Sequence, residues 1–205
     1  TKWNTLTELL ERTVTMPRLP YKTREDLPET KRHIYDRIAE TRSGDKGANG
    51  MPRVFQLILN NPDAAQPVAA LGEYLRFGSS LDAAIRETTI LSVAREMGSQ
   101  YEWAHHEPIA RRVGVRDEVI EAIRSGKAPM GLPPKEGVFA QVAKEMVIGK
   151  GLSDRTFQAV EHLLGPEQTV ELIVLVGYYS MLSRVMDALG IELEPGVEPG
   201  LPESA

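Results

Sequence analysis

Residues 86–115 read RETTILSVAREMGSQYEWAHHEPIARRVGV. This stretch decides the fold, because both halves carry apolar residues at helical spacing and are split by a turn at Gly98 to Gln100. With a helical step of about 100° per residue, Ala83, Ile90, Leu91, Ala94 and Met97 share one arc, and Glu87 lies inside it. In the second half Glu102, His105, His106, Ile109 and Val113 share an arc, with Trp103 and Glu107 to one side and Arg111 opposite. An acid and two histidines therefore continue an apolar stripe instead of a charged one. Glu102 and His106 are four apart, a separation at which helical neighbours meet. An isolated buried carboxylate is costly, so each needs a partner or a raised pKa. Two acids and a histidine aimed inward from consecutive helices can satisfy one another, and such a group can hold or move a proton. The plainer alternative is a hydrogen-bonded core pair without chemistry. His105, at the edge of the stripe, is the weaker candidate of the two histidines, and Trp103 reads as packing.

Outward from this stretch, helical spacing recurs and no convincing alternating strand is found, so the expected fold class is all-α, a compact helical bundle forming one domain over residues 1–205. Helices are expected at 28–41, 52–60, 63–77, 81–97, 101–113, 116–125, 136–149, 153–163 and 167–189. Their ends agree with Asp63 after Pro62, Ser80 before Leu81, and Gly98, Gly114, Gly126, Gly149 and Gly151. Residues 1–22 read as an N-terminal helical arm, amphipathic from Leu6 to Val14 and cut off by Pro17 and Pro20. SGDKGANG at 43–50 is a loop, and GKAPMGLPPKEG at 126–137 is an irregular flap or crossing. The tail EPGVEPGLPESA at 194–205 is expected to be extended.

Composition bounds the chemistry. Lys and Arg number 24 against 29 Asp and Glu, a net charge of -5 that leaves no basic surplus for nucleic acid or anionic lipid. With no cysteine, disulfides, thiolate nucleophiles and CxxC chemistry are excluded. A metal site is not expected, since adjacent histidines diverge by a helical step. No charged-then-apolar leader opens the sequence, and the longest apolar run, Leu172 to Leu182, is about half the length needed to span a bilayer. The expectation is a cytoplasmic protein with neither a membrane nor a nucleic-acid partner.

Two blocks, the opening stretch and EQTVELIVLVGYYSMLSRVMDALGIEL at 167–193, together resemble the carboxymuconolactone decarboxylase and alkylhydroperoxidase D-like (AhpD-like) superfamily over roughly residues 50–192. The resemblance implies an all-α bundle that assembles into a homo-oligomer, a trimer or hexamer, with sites near subunit contacts. The redox branch uses a Glu, a CxxC pair and a His. Glu87 and His106 match the Glu and the His, but Ser99 and Glu102 stand at the thiol positions, so thiol peroxidase chemistry cannot run.

The decarboxylase branch is the better match. It implies a cofactor-free lyase acting by general acid/base catalysis on a small carboxylic acid or lactone, with His106 as proton donor, Glu102 as the partner that tunes it and Glu87 as support or relay. Substrate-binding candidates are His105, Arg86, Tyr178, Tyr179 and Arg184. Their plainer readings are a rim or capping contact, a surface salt bridge, core aromatics and a subunit salt bridge. The alternative reading of the whole chain is a Cys-less AhpD-like binding or structural oligomer.

Overall fold

The computed structural model describes residues 17–42, 51–149 and 151–202. The amphipathic segment Leu6 to Val14 and the SGDKGANG loop lie outside these residues. Among the described residues the fold is all-α with no strand. A one-turn 3-10 helix at Glu29–Lys31 leads into α1 (Arg32–Arg42), followed by α2 (Arg53–Ile58) and α3 (Pro62–Glu73). A π turn (Tyr74–Gly78) extends α3, and then come α4 (Ala83–Met97), α5 (Gln100–Arg112), α6 (Asp117–Arg124), α7 (Pro134–Ile148) and α8 (Asp154–Leu189).

Local signals set these bounds. Asn61 caps α3 with its side chain on the Ala64 amide, and Pro62 fills the first helical position, where its missing N–H costs nothing. Asp82 accepts from the amides of Ala84 and Ile85 at the start of α4. Gly98 ends α4 at φ 65°, and Ser99 immediately caps α5 by accepting from the Glu102 amide. Only these two residues separate the helices that carry the candidate acids and histidine. The two closing helices expected at 153–163 and 167–189 run together as α8 and are kinked at Gly165, whose φ of 75° and ψ of 171° are not helical.

The core is built around α4, which packs against α5, α6, α7 and α8. Eight consecutive residues, 87 to 94, are buried in it. This departs from the one-sided amphipathic helix expected from periodicity, because neighbours enclose α4 on every side. Its polar members are satisfied locally: Thr89 Oγ1 donates to the Ile85 carbonyl at 2.9 Å and Ser92 Oγ to that of Thr88 at 2.7 Å. Leu172, Leu175, Val176, Leu182 and Met186 of α8 complete the larger apolar cluster, while Trp103 anchors a second one with Leu91, Val119 and Ile120. By length and composition alone α8 could cross a membrane, but its inner residues are spent on this core.

Residues 17–22, from the break expected at Pro17, are not helical. They run extended and are pinned to the end of α8 and to α2, with Arg18 N–H donating to Leu189 O at 2.8 Å and Lys22 N–H to Gln56 O at 3.0 Å. The C-terminal tail is irregular as expected but docked. Gln100 exchanges both side-chain hydrogen bonds with the backbone of Leu201, at 2.8 and 2.9 Å, and Leu201 and Glu194 are buried.

Two glycines separate packing from propensity. A Cβ on Gly72 of α3 would stand 2.2 Å from the Tyr178 hydroxyl, whereas one on Gly177 of α8 would meet nothing within 4 Å. Gly72→Ala is therefore expected to destabilise by about 1–3 kcal/mol through overpacking, and Gly177→Ala to stabilise by up to about 1 kcal/mol through helix propensity. Urea midpoints of the two variants should move in opposite directions; equal shifts would contradict the close approach of α3 to Tyr178.

Candidate functional site

The three inward groups of the opening stretch meet. His106 Nδ1 lies 2.7 Å from Glu87 Oε2, bridging α4 and α5. On the other edge of the ring, Nε2 faces Glu102 Oε2 at 3.4 Å. All three are buried, at 1% exposure for Glu87 and 5% for each of the others. The edge of the imidazole packs against Tyr179, with ring centroids 5.1 Å apart and planes at 89°. Glu87 is thus the hydrogen-bonded partner of His106, and Glu102 stands off, the reverse of the order expected along α5.

The two carboxyls are tuned apart. Burial pushes Glu87 up, but the charge and hydrogen bond of His106, aided by Arg76 and Arg86, outweigh it and hold this carboxyl below its ordinary value. Burial also pushes Glu102 up, and here the pull of His106, His105 and Arg76 does not cancel it, while the Glu87 charge adds to the rise. Glu87 is the anion that takes the Nδ1–H of His106, and Glu102 is the carboxyl that more readily keeps a proton.

Glu102 and His106 line a cavity of about 540 Å³ whose other walls include Val54, Phe55, Tyr178 and Leu182. Its volume lies within the usual range for small-molecule sites. Glu87 does not reach this cavity but lines a smaller pocket of about 310 Å³ beside it, together with Arg86. Arg86 Nε stands 3.5 Å from Glu87 Oε1, an electrostatic contact without a hydrogen bond. Tyr178 and Tyr179 line the main cavity, and burial raises both hydroxyls, keeping them neutral. The Tyr178 O–H donates to the Val68 carbonyl at 3.0 Å, and its oxygen accepts from Arg42. Arg184 departs from expectation: it is exposed and lines a separate pocket with Ser99 and Gln100, because its step along α8 turns it away from the face of Tyr178 and Leu182. Sequence reasoning missed Arg42, Arg76 and Arg112, which also line the cavity. Among the described residues no group of three or more His, Asp or Glu side chains is placed to hold a metal ion.

His105 serves a different partner from His106. Its Nδ1 faces the Tyr101 carbonyl at 2.8 Å, and its Nε2 lies 3.0 Å from Glu194 Oε2 in the tail. A carbonyl only accepts, so Nδ1 carries a hydrogen, and an attractive Nε2 contact to a carboxylate requires the second. The ring also stacks on Tyr101, whose hydroxyl donates to Glu194 Oε1 at 2.9 Å. Burial lowers the His105 pKa, but the nearby Glu194 carboxylate and the hydrogen bond to the Tyr101 carbonyl outweigh it and leave it raised. Burial likewise raises Glu194, and His105 outweighs that to leave it lowered. The tail is thereby latched over α5, with Val197 forming part of the cavity wall.

Comparison with known proteins places this architecture. Residues 62–145 match the model of the Carboxymuconolactone decarboxylase family. Among solved structures, an alkylhydroperoxidase AhpD core, an uncharacterized peroxidase-related protein from Ralstonia eutropha JMP134, is similar with a TM-score of 0.70 and 18% identity, over 87% of this chain and 93% of that one. A variant of the debrominase Bmp8 in complex with 2,3,4-tribromopyrrole is similar with a TM-score of 0.64 and 14% identity, over 90% of this chain and 94% of that one. At such identities the likeness to the two structures is one of fold. Comparison with curated protein sequences gives no match. The match to the Carboxymuconolactone decarboxylase family thus lies in residues 62–145, and the fold of the chain is like that of the two structures.

The latch has a defined pH signature. The His105 pKa is raised, so its contribution to stability is complete below the ordinary histidine value of about 6.5 and is lost as pH rises through the higher folded value. The Glu194 pKa is lowered, so its contribution is complete above about 4.3 and is lost as pH falls through the lower folded value. The stability gap between the wild type and Glu194→Gln should be widest between about pH 4.3 and 6.5 and shrink on either side. Denaturant midpoints across pH measure it, and a gap that does not vary with pH would remove the ion pair from the account.

Proposed function

We propose that the protein is a cofactor-free lyase, a decarboxylase or isomerase, acting by general acid/base catalysis on a small carboxylated lactone or a ring-derived acid. The observation that carries this reading is the row Glu87–His106–Glu102, with one carboxyl tuned down behind the imidazole and the other tuned up where the imidazole meets the cavity. Two carboxyls with opposite shifts flanking one histidine divide the labour of holding the ring and supplying a proton.

In the proposed reaction the carboxylate of an unsaturated lactone acid leaves as CO2. The electrons of the broken C–C bond delocalise towards the conjugated carbonyl, and Nε2–H of His106 delivers a proton to carbon. Glu87 holds Nδ1 and stabilises the imidazolium, and Glu102 returns a proton to Nε2 across the 3.4 Å gap. Proton in and CO2 out balance the reaction without an oxidant. The peroxidase relation named for one structural neighbour does not carry over as thiol chemistry, since this chain has no cysteine.

A binding or structural oligomer is the second reading. It is favoured by exposed apolar side chains on neighbouring helices, Leu71, Tyr74 and Phe77 beside Val170, Val174 and Met181, a face suited to another copy of the chain.

His106→Gln is the discriminating variant. CO2 release or solvent-proton exchange on carboxylated lactones is expected to fall by about 100-fold or more, the usual scale for one general acid/base group. Glu102→Gln, which has no proton to return to Nε2, should lower turnover as well. Unchanged turnover in His106→Gln, with destabilisation as the main effect, favours the second reading.

A further inference from the structure

We propose that the turn Glu194–Val197 of the C-terminal tail is a gate in the outer wall of the main cavity, held shut by Glu194 on α5 and opened to let a ligand in or out. The sequence repeats one pattern here, Glu194-Pro195-Gly196-Val197 and then Glu198-Pro199-Gly200-Leu201. The two copies are fastened to the protein in different ways, and the difference makes the first one movable.

The first copy is a closed β-turn. Val197 N–H donates to the Glu194 carbonyl at 3.0 Å, and Gly196 in the third position has φ 83°. These are the marks of a type II turn, in which proline sets the second position and glycine accepts the left-handed third. One end of the turn, Glu194, is buried on His105 and the Tyr101 hydroxyl. The other end, Val197, is half-buried and lines the cavity. Anchor and wall residue are less than about 7 Å apart in one turn, so the wall residue moves when the anchor lets go. Pro195, Gly196, Glu198 and Pro199 are exposed, and the stretch is held through Glu194 and Val197.

The second copy is fastened by packing and backbone contacts. Gly200 lies so close to Trp103 that a Cβ would stand 2.5 Å from the indole, and its carbonyl accepts from Arg124. Leu201 is buried in the cluster around Trp103 and held by Gln100. On the other side of the turn, Arg53 donates to the Leu193 carbonyl at 2.7 Å. The chain is thus pinned before and after residues 194–199, which can swing out as a flap while the rest of the fold stays in place.

Release needs only the side chain of Glu194 to exchange its partners for water, which solvates a carboxylate well. His105 keeps its stacking on Tyr101, with ring centroids 4.2 Å apart. Segments with few buried contacts of their own are those from which binding-site lids are drawn. Behind the flap, Tyr101, His105 and His106 line the same cavity, so its opening gives on to the acid/base row.

The inference rests on the proposed function only in taking this cavity as the place where a ligand sits, and its test reads entry instead of turnover. With no cysteine in the chain, an introduced thiol is a single reporter. Leu182→Cys puts it on the cavity wall, and Val142→Cys puts it in the core on α7, outside the cavity. Each is labelled with methyl methanethiosulfonate at neutral pH, and mass spectrometry follows the rate. Adding Glu194→Gln, which keeps the size and gives up the ion pair, is expected to speed labelling of Leu182→Cys by about tenfold or more, the scale of one lost charge-assisted hydrogen bond. Val142→Cys should be labelled no faster. His105→Gln, which removes the other half of the pair, should act as Glu194→Gln does. A folded Glu194→Gln protein with the parental rate at Leu182→Cys would overturn the gate, and so would equal acceleration at Val142→Cys, which marks general loosening. Because labelling needs no substrate, an absence of turnover on carboxylated lactones would remove the proposed function and leave the gate standing.

Discussion

The burial of Glu87 in the middle of the most enclosed helix is the constraint on which the rest depends. A carboxylate only 1% exposed is tolerable only if a cation or a donor reaches it, and His106 Nδ1 at 2.7 Å is that donor, with the Arg86 guanidinium nearby. The contact pins α5 to α4, sets the face of α5 that looks into the cavity, and leaves Nε2 as the ring edge available to a ligand. Replacing the pair by apolar residues would satisfy the core as well, so the pair specifies an arrangement more than it supplies stability.

Two regions with opposite electrical character converge on one space. The acid/base row comes from α4 and α5, and the arginines come from α1, the π turn and the end of α5. Tyr179 links the two regions, packed edge-on to His106 and within the field of Arg76. Just after the π turn, Glu171 of α8 accepts from Ser79 Oγ and the Ser80 N–H, which ties the turn to the closing helix.

Much of this was legible from residue order. Glu87, Glu102 and His106 break the rule that charges face outward, and a period of 3.6 residues is enough to expose that exception. Arg42 and Arg76 are not visible in the same way. Arg42 ends a polar helix and precedes a glycine-rich stretch of sequence, where an arginine reads as surface, and Arg76 lies where the helical period itself changes. Arg184 misled because proximity in sequence to Tyr178 and Tyr179 says nothing of azimuth once a helix has turned. The tail misled through composition: proline and glycine excluded regular structure correctly, but Glu194 and Leu201 as anchors depend on His105, Tyr101 and Gln100, nearly a hundred residues earlier.

The joint between α4 and α5 is only Gly98 and Ser99. Surface connections usually absorb added residues with ease, yet this one cannot. A single inserted amino acid would rotate α5 by about 100° about its own axis, swinging the imidazole off its carboxylate and carrying the indole of Trp103 out of its apolar nest. Length variation among natural relatives should therefore be concentrated in other connections, while the spacing of 19 residues between Glu87 and His106 stays constant.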